Sequence, residues 1–131
     1  GMAEFVCPLC ATIHLSGSTI TLTSCAMAVM VMTNQSIGFG KMFPFILMLG
    51  VTMVAAPGVP GGAIMAALGI LASMLGFTAE DQALMISLYV AMDSFGTACN
   101  VTGDGALAVI IDKVTASGRR TSIKDDITPQ S

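Results

Sequence analysis

The stretch "DSFGTACNVTGDG" (Asp93–Gly105) follows directly on the apolar run "ALMISLYVAM" (83–92). Its reading decides the fold. On an α-helix at 100° per residue, with Asp93 at zero, Thr97 falls at about 40°, Asn100 at about −20° and Asp104 at about 20°. These four side chains share one sector and stack over successive turns. Gly96, near −60°, and Gly103, near −80°, mark the edge of that sector. The remaining faces carry Leu, Ile, Val, Ala and Met. The segment is therefore an apolar helix with one polar stripe.

The composition says which solvent surrounds it. Of 131 residues, 54% are apolar and only 10% charged, with a mean hydropathy of +0.85. Ordinary globular domains carry roughly a quarter charged residues. Lipid or other protein must cover most of this surface. In such surroundings a mid-membrane charge costs at least ~2.5 kcal/mol. The basic residue nearest to the stripe is Lys113, outside it. Two aspartates so placed mark an ion or substrate path. Their oxygens suit a hard cation such as Na+, or an ammonium group. A bound cation also offsets the cost of keeping them ionised. "NVT" (100–102) matches a glycosylation sequon but lies within the helix, so that reading is set aside.

Four of the five basic residues (Lys113, Arg119, Arg120 and Lys124) follow the last apolar segment. The positive-inside tendency places that end in the cytoplasm. A net charge of −3 and the lack of a basic patch argue against a nucleic-acid partner. Gly1 before Met2 reads as a tag-cleavage remnant, and no signal peptide of the usual form precedes Phe5.

Elsewhere the apolar segments are interrupted. "FVCPLCATI" (5–13) and "TITLTSCAMAVMVM" (19–32) flank "HLSGS" (His14–Ser18). Glycine and serine there predict a helix, a short unwound stretch and a second helix over 5–32. Irregular backbone at membrane depth survives only where it is buried or lines a cavity. His14–Ser18 is thus a candidate binding site. "TNQSIGFGK" (33–41) reads as a loop. Two apolar arms then surround "PGVPGG" (Pro57–Gly62), a turn. Each arm is too short for the ~20 residues that cross a bilayer. The pattern over 42–77 predicts a re-entrant hairpin. "TAED" (78–81) has the form of a helix start, and a helix is expected over 79–113. Residues 116–131 form a polar tail, expected to be mobile.

The four cysteines include Cys7-x-x-Cys10 with His14 nearby, but Cys25 and Cys99 stand alone in apolar runs. A structural zinc site needs four ligands, so these cysteines read as small hydrophobes. A thiol redox or metal module would use Cys7, Cys10 and His14. No hydrolase or transferase constellation is visible, and a lone His14 with scattered serines is not a triad. The chain is not expected to be an enzyme or to need a cofactor.

At this point the chain resembles the dicarboxylate/amino acid:cation symporter family, with its glutamate-transporter-type fold. The resemblance covers roughly 5–115. It rests on three motifs in order: a broken seventh segment, here "HLSGS"; a second hairpin with tip "GVPG" (Gly58–Gly61); and an eighth segment with Asp93, Thr97 and "NVTGD" (Asn100–Asp104). It implies an all-α membrane protein of a broken transmembrane helix, a re-entrant helical hairpin and a long C-terminal transmembrane helix. Residues 2–115 would be the C-terminal half of a transport domain. The first six segments, the first hairpin and the homotrimer scaffold of such transporters have no counterpart here. The location implied is the cell inner (plasma) membrane, multi-pass.

The resemblance also implies site roles. A cation, Na+ or alternatively H+, would be held by the carbonyl of Cys10 with Asn100 and Asp104. The family's Asn and Asp ligands at the break are His14 and Ser16 here. A second cation would sit between Thr12 and the carbonyls of Met53, Val54 and Ala56. Substrate would meet Ser18, the tip backbone at Gly58 and Val59, Asp93 through its amine, and Thr97 and Asn100. Relatives with acidic substrates carry an arginine where this chain has Gly96. That difference implies a small neutral amino acid as substrate. The alternatives are symport of a dicarboxylate or acidic amino acid, and a structural membrane fragment that has lost transport.

Overall fold

The computed structural model describes residues 2–127, with side chains described over 3–116. Among the described residues all regular structure is helical: α1 (Met2–Ile13), α2 (Ser16–Met32), α3 (Phe39–Met53), α4 (Gly62–Ile70) running into a π-helical turn (Leu71–Leu75), and α5 (Ala79–Ile127).

α1 and α2 form one apolar run of 30 residues, Ala3–Met32, long and apolar enough to cross a membrane. The run is interrupted at His14 and Leu15, and Leu15 leaves helical geometry at φ −121°, ψ 42°. This interruption is shorter than the sequence predicts. Ser16, Gly17 and Ser18 form the first turn of α2 rather than unwound chain. The reason is a partner from another helix. Asn100 Oδ1 of α5 accepts the amide of Gly17 at 2.9 Å and that of Ser18 at 3.4 Å. The first amides of a helix have no intrahelical acceptor, and here a distant side chain supplies one.

α3 and α4 are apolar and short. At 1.5 Å per residue the 15 residues of α3 span only ~22 Å, less than a ~30 Å hydrocarbon core. They pack on each other and are joined by the segment 54–61. Lys41 Nζ donates to the Leu75 carbonyl at 3.3 Å, a cation placed at a helix C-terminus. α5 begins with a reciprocal cap. The Thr78 amide donates to Asp81 Oδ2 at 2.9 Å, and the Asp81 amide donates to Thr78 Oγ1 at 3.2 Å. Its span 79–116 is also long and apolar enough to cross a membrane.

The helix of α5 continues to Ile127, past the end expected at 113. Gly118 alone does not stop a helix, and Pro129 is the first residue that would. The last residues of the expected mobile tail, 128–131, lie outside the described residues.

The core lies where α2, the hairpin and α5 meet. Leu22, Cys25, Ala26, Val29 and Met30 of α2 recur at helical spacing. They pack with Phe45, Leu49, Ile64, Ala67, Leu71, Leu75, Met85 and Tyr89 in one buried cluster. Among its described side chains α1 buries Val6 and Cys10. Much of the remaining apolar surface is exposed, with Phe5, Ile20 and Val51 each about two-thirds or more accessible.

Candidate functional site

α2 and α5 cross with very little between them. A Cβ on Gly17 would run into the Gly96 carbonyl and lie 2.6 Å from Cys99 Cβ. A Cβ on Gly96 would lie 3.0 Å from Thr21 Oγ1 and 3.4 Å from the Gly17 backbone. This close approach brings the break between α1 and α2 against the polar stripe of α5.

The third wall is the hairpin tip. Gly61 adopts φ +73°, a conformation open to glycine at little cost. A Cβ on Gly62 would strike the Pro57 carbonyl, so the turn closes tightly. The Gly61 amide donates to Asp93 Oδ2 at 3.2 Å. The tip is therefore held to α5 through one of the stripe carboxylates.

These walls enclose a cavity of about 280 Å³, at the small end of the range for small-molecule sites. Of the residues singled out from the sequence, His14, Ser18, Ala56, Gly58, Val59, Asp93, Thr97, Asn100 and Asp104 line it. At its base Asn100 Nδ2 donates to Ser18 Oγ at 2.8 Å. Asn100 and Ser18 are both buried, and their polar atoms satisfy one another. His14 Nδ1 lies 2.8 Å from Asp104 Oδ1, and Ser16 Oγ lies 3.2 Å from His14 Nε2.

Other expected positions do not meet the cavity. Gly96 lies against α2, beside Thr21 and the Gly17 backbone, and is not among the residues lining the cavity. Thr12, Met53 and Val54 lie outside the cavity lining. Thr12 Oγ1 donates to the Leu9 carbonyl at 2.9 Å, and the Met53 carbonyl accepts the Ala56 amide at 3.1 Å. The Cys10 carbonyl accepts the His14 amide at 2.8 Å. Cys7 is exposed and Cys10 buried, so the two thiols of the C-x-x-C pair meet different surroundings.

Tyr89 is a cavity residue that sequence reading missed. It lines the cavity, is fully buried, and its hydroxyl has no hydrogen-bond partner among the described residues. The signal was present: Tyr89 lies four residues before Asp93, one turn along the same stripe. Within "ISLYVAM" it reads as an aromatic core residue, and most of its ring is that.

The sequence profile of the sodium:dicarboxylate symporter family matches residues 1–114. The chain belongs to that family. Human excitatory amino acid transporter 5 is 28% identical over 110 residues, covering 84% of this chain and 20% of the relative. Human excitatory amino acid transporter 3 is 27% identical over 114 residues, covering 87% and 22%. Human neutral amino acid transporter A is 25% identical over 123 residues, covering 91% and 23%. The chain spans about a fifth of the length of these curated relatives. No solved structure gives a significant match. That family is one of symporters rather than enzymes.

Proposed function

We propose that this chain forms the C-terminal half of the transport domain of a cation-coupled symporter for a small neutral amino acid. Its relatives carry both excitatory and neutral amino acid transporters in their names, so the family alone leaves the substrate open. One observation carries the choice. Among the described residues the cavity lining includes two carboxylates, Asp93 and Asp104, and no lysine or arginine. A zwitterion brings an ammonium group to Asp93 and a single carboxylate. Thr97 and the backbone amides at the tip can meet that carboxylate. A second carboxylate on the substrate would enter beside Asp93 without a cation of its own, at several kcal/mol in a low-dielectric site.

The short arms α3 and α4 form a re-entrant hairpin, and α1–α2 a broken transmembrane helix, with the C-terminus in the cytoplasm of a plasma-membrane protein. A cation is held by Thr12 and the carbonyls of Met53, Val54 and Ala56, once Thr12 and Met53 leave the partners they have within the chain. Substrate and cation are coupled because both favour the closed tip. The remainder of the transporter, a homotrimer, supplies the scaffold against which this part moves.

The test is amino-acid binding to the full-length protein in lipid nanodiscs. Asp93→Asn removes a charge-assisted hydrogen bond of about 1.5–3 kcal/mol, and alanine or serine affinity should fall roughly 10- to 100-fold. Equal affinity in parent and variant, or displacement of bound alanine by aspartate as readily as by serine, would refute this reading.

A further inference from the structure

On one side of the cavity several polar groups already have partners. A carboxylate only accepts, so His14 Nδ1 is the donor to Asp104 Oδ1 across 2.8 Å. Nε2 of the same ring lies 3.2 Å from Ser16 Oγ. The ring is seated on α5 at Gly103, where a Cβ would run into His14 Cε1. Asn100 Oδ1 is taken by the amides of Gly17 and Ser18. The Cys10 carbonyl takes the His14 amide. Each group that the resemblance arranges around a cation at the helix break has a partner within the chain.

We infer that the His14 imidazole is a built-in replacement for a cation at this break: it holds Asp104, fills the position, and the site takes no sodium. A nitrogen that donates its proton to Asp104 cannot ligate a cation, because ligands must be deprotonated. The spacing agrees. Adjacent ligands of a hard cation, each roughly 2.3–2.6 Å from it, stand ~3.3 Å or more apart in octahedral geometry. The His14–Asp104 contact is shorter than that. The ring is also fixed at both nitrogens and against Gly103, so making room for an ion means losing three contacts together. Any sodium coupling of the proposed function then lies elsewhere than at this break. The inference rests on the transporter reading of this same cavity.

Two measurements on the full-length protein in nanodiscs separate the two ideas. The first counts radioactive sodium bound per chain without amino acid, with choline as the replacement ion. The second follows alanine affinity against sodium concentration. His14→Asn supplies an amide oxygen in place of the ring. It should bind one more sodium ion per chain than the parent. Its alanine affinity should gain about a further tenfold for each tenfold rise in limiting sodium. Adding Asp104→Asn to that variant should remove the gain. Equal sodium counts in parent and His14→Asn would overturn the inference. His14→Gln carries the same oxygen and replaces His14→Asn if the latter does not fold. The parent decides independently of either: a sodium ion that it binds and that Asp104→Asn abolishes would also overturn the inference. If sodium counts differ as expected but no amino acid binds to any of these proteins, the inference stands and the substrate reading falls.

Discussion

Replacing Asn100 by alanine should release the first turn of α2 from α5. Asn100 Oδ1 accepts the amides of Gly17 and Ser18, and Nδ2 donates to Ser18 Oγ. Loss of an N-cap acceptor costs about 1 kcal/mol. Loss of the hydrogen bond to a buried hydroxyl costs about 1 kcal/mol more. Together, about 2 kcal/mol is a factor of roughly 30 in a local opening equilibrium. Hydrogen exchange reads such openings directly. In the full-length protein, amides at the start of α2 should exchange roughly 30-fold faster in Asn100→Ala, while those of α3 at Phe45–Leu49 hold their parent rates. Asn100→Asp is the informative control. It keeps an acceptor for both amides and places a negative charge at a helix N-terminus, which is favourable, but loses the donor to Ser18. Its exchange at the same amides should stay within a few-fold of the parent. Unchanged exchange at Gly17 and Ser18 in Asn100→Ala would refute the capping argument. So would an equal acceleration throughout α3.

Two further outcomes follow from the geometry. Tyr89→Phe removes a buried hydroxyl without a partner, so the thermal midpoint should hold or rise; if that hydroxyl serves substrate, alanine affinity should fall about five- to tenfold, and an unchanged affinity would remove Tyr89 from the site. Gly17→Ala sets a methyl group against a backbone carbonyl and should destabilise the fold by about 1–3 kcal/mol, more than Gly96→Ala, whose methyl meets the rotatable Thr21 hydroxyl; thermal melting of both variants checks the order.

Much of this arrangement was legible because helical spacing is a local property. Asp93, Thr97, Asn100 and Asp104 share one sector of α5 at any crossing angle, and the structure lines one cavity with all four. The Pro/Gly tip and the cap at Thr78 are equally local. What was not legible depends on contacts between distant segments. Ser16–Ser18 read as unwound because serine and glycine disfavour helix interiors. The Asn100 side chain that ends their isolation lies 83 residues from Gly17. Gly96 sat at the edge of the polar sector, and a helical wheel does not say which neighbour faces an edge. The Gly17 backbone does. Tyr89 was hidden by its own chemistry, since an aromatic ring in an apolar run is core by default and only its hydroxyl belongs to the site.

Asp93 links the tip to the substrate reading in a way that bears on how the site can open. Its Oδ2 takes the Gly61 amide, so the tip in this arrangement already uses this carboxylate. A neutral tip amide and a substrate ammonium do not exclude each other there, because a carboxylate offers about four lone-pair sites on two oxygens. The two donors reinforce one another instead. An ammonium on Asp93 fixes the carboxylate rotamer that meets Gly61, and the Gly61 bond holds the tip over whatever occupies the cavity. Without substrate, the Gly61–Asp93 bond at 3.2 Å is the only contact between a tip side or main chain and the stripe carboxylates that the hydrogen bonding of the described residues provides. That bond adds about 1 kcal/mol to the apolar packing of Ile64 and Ala67 in the same buried cluster as Met85 and Tyr89. If the proposed function holds, an ammonium group on Asp93 would favour the tip arrangement seen here, which would couple occupancy to closure.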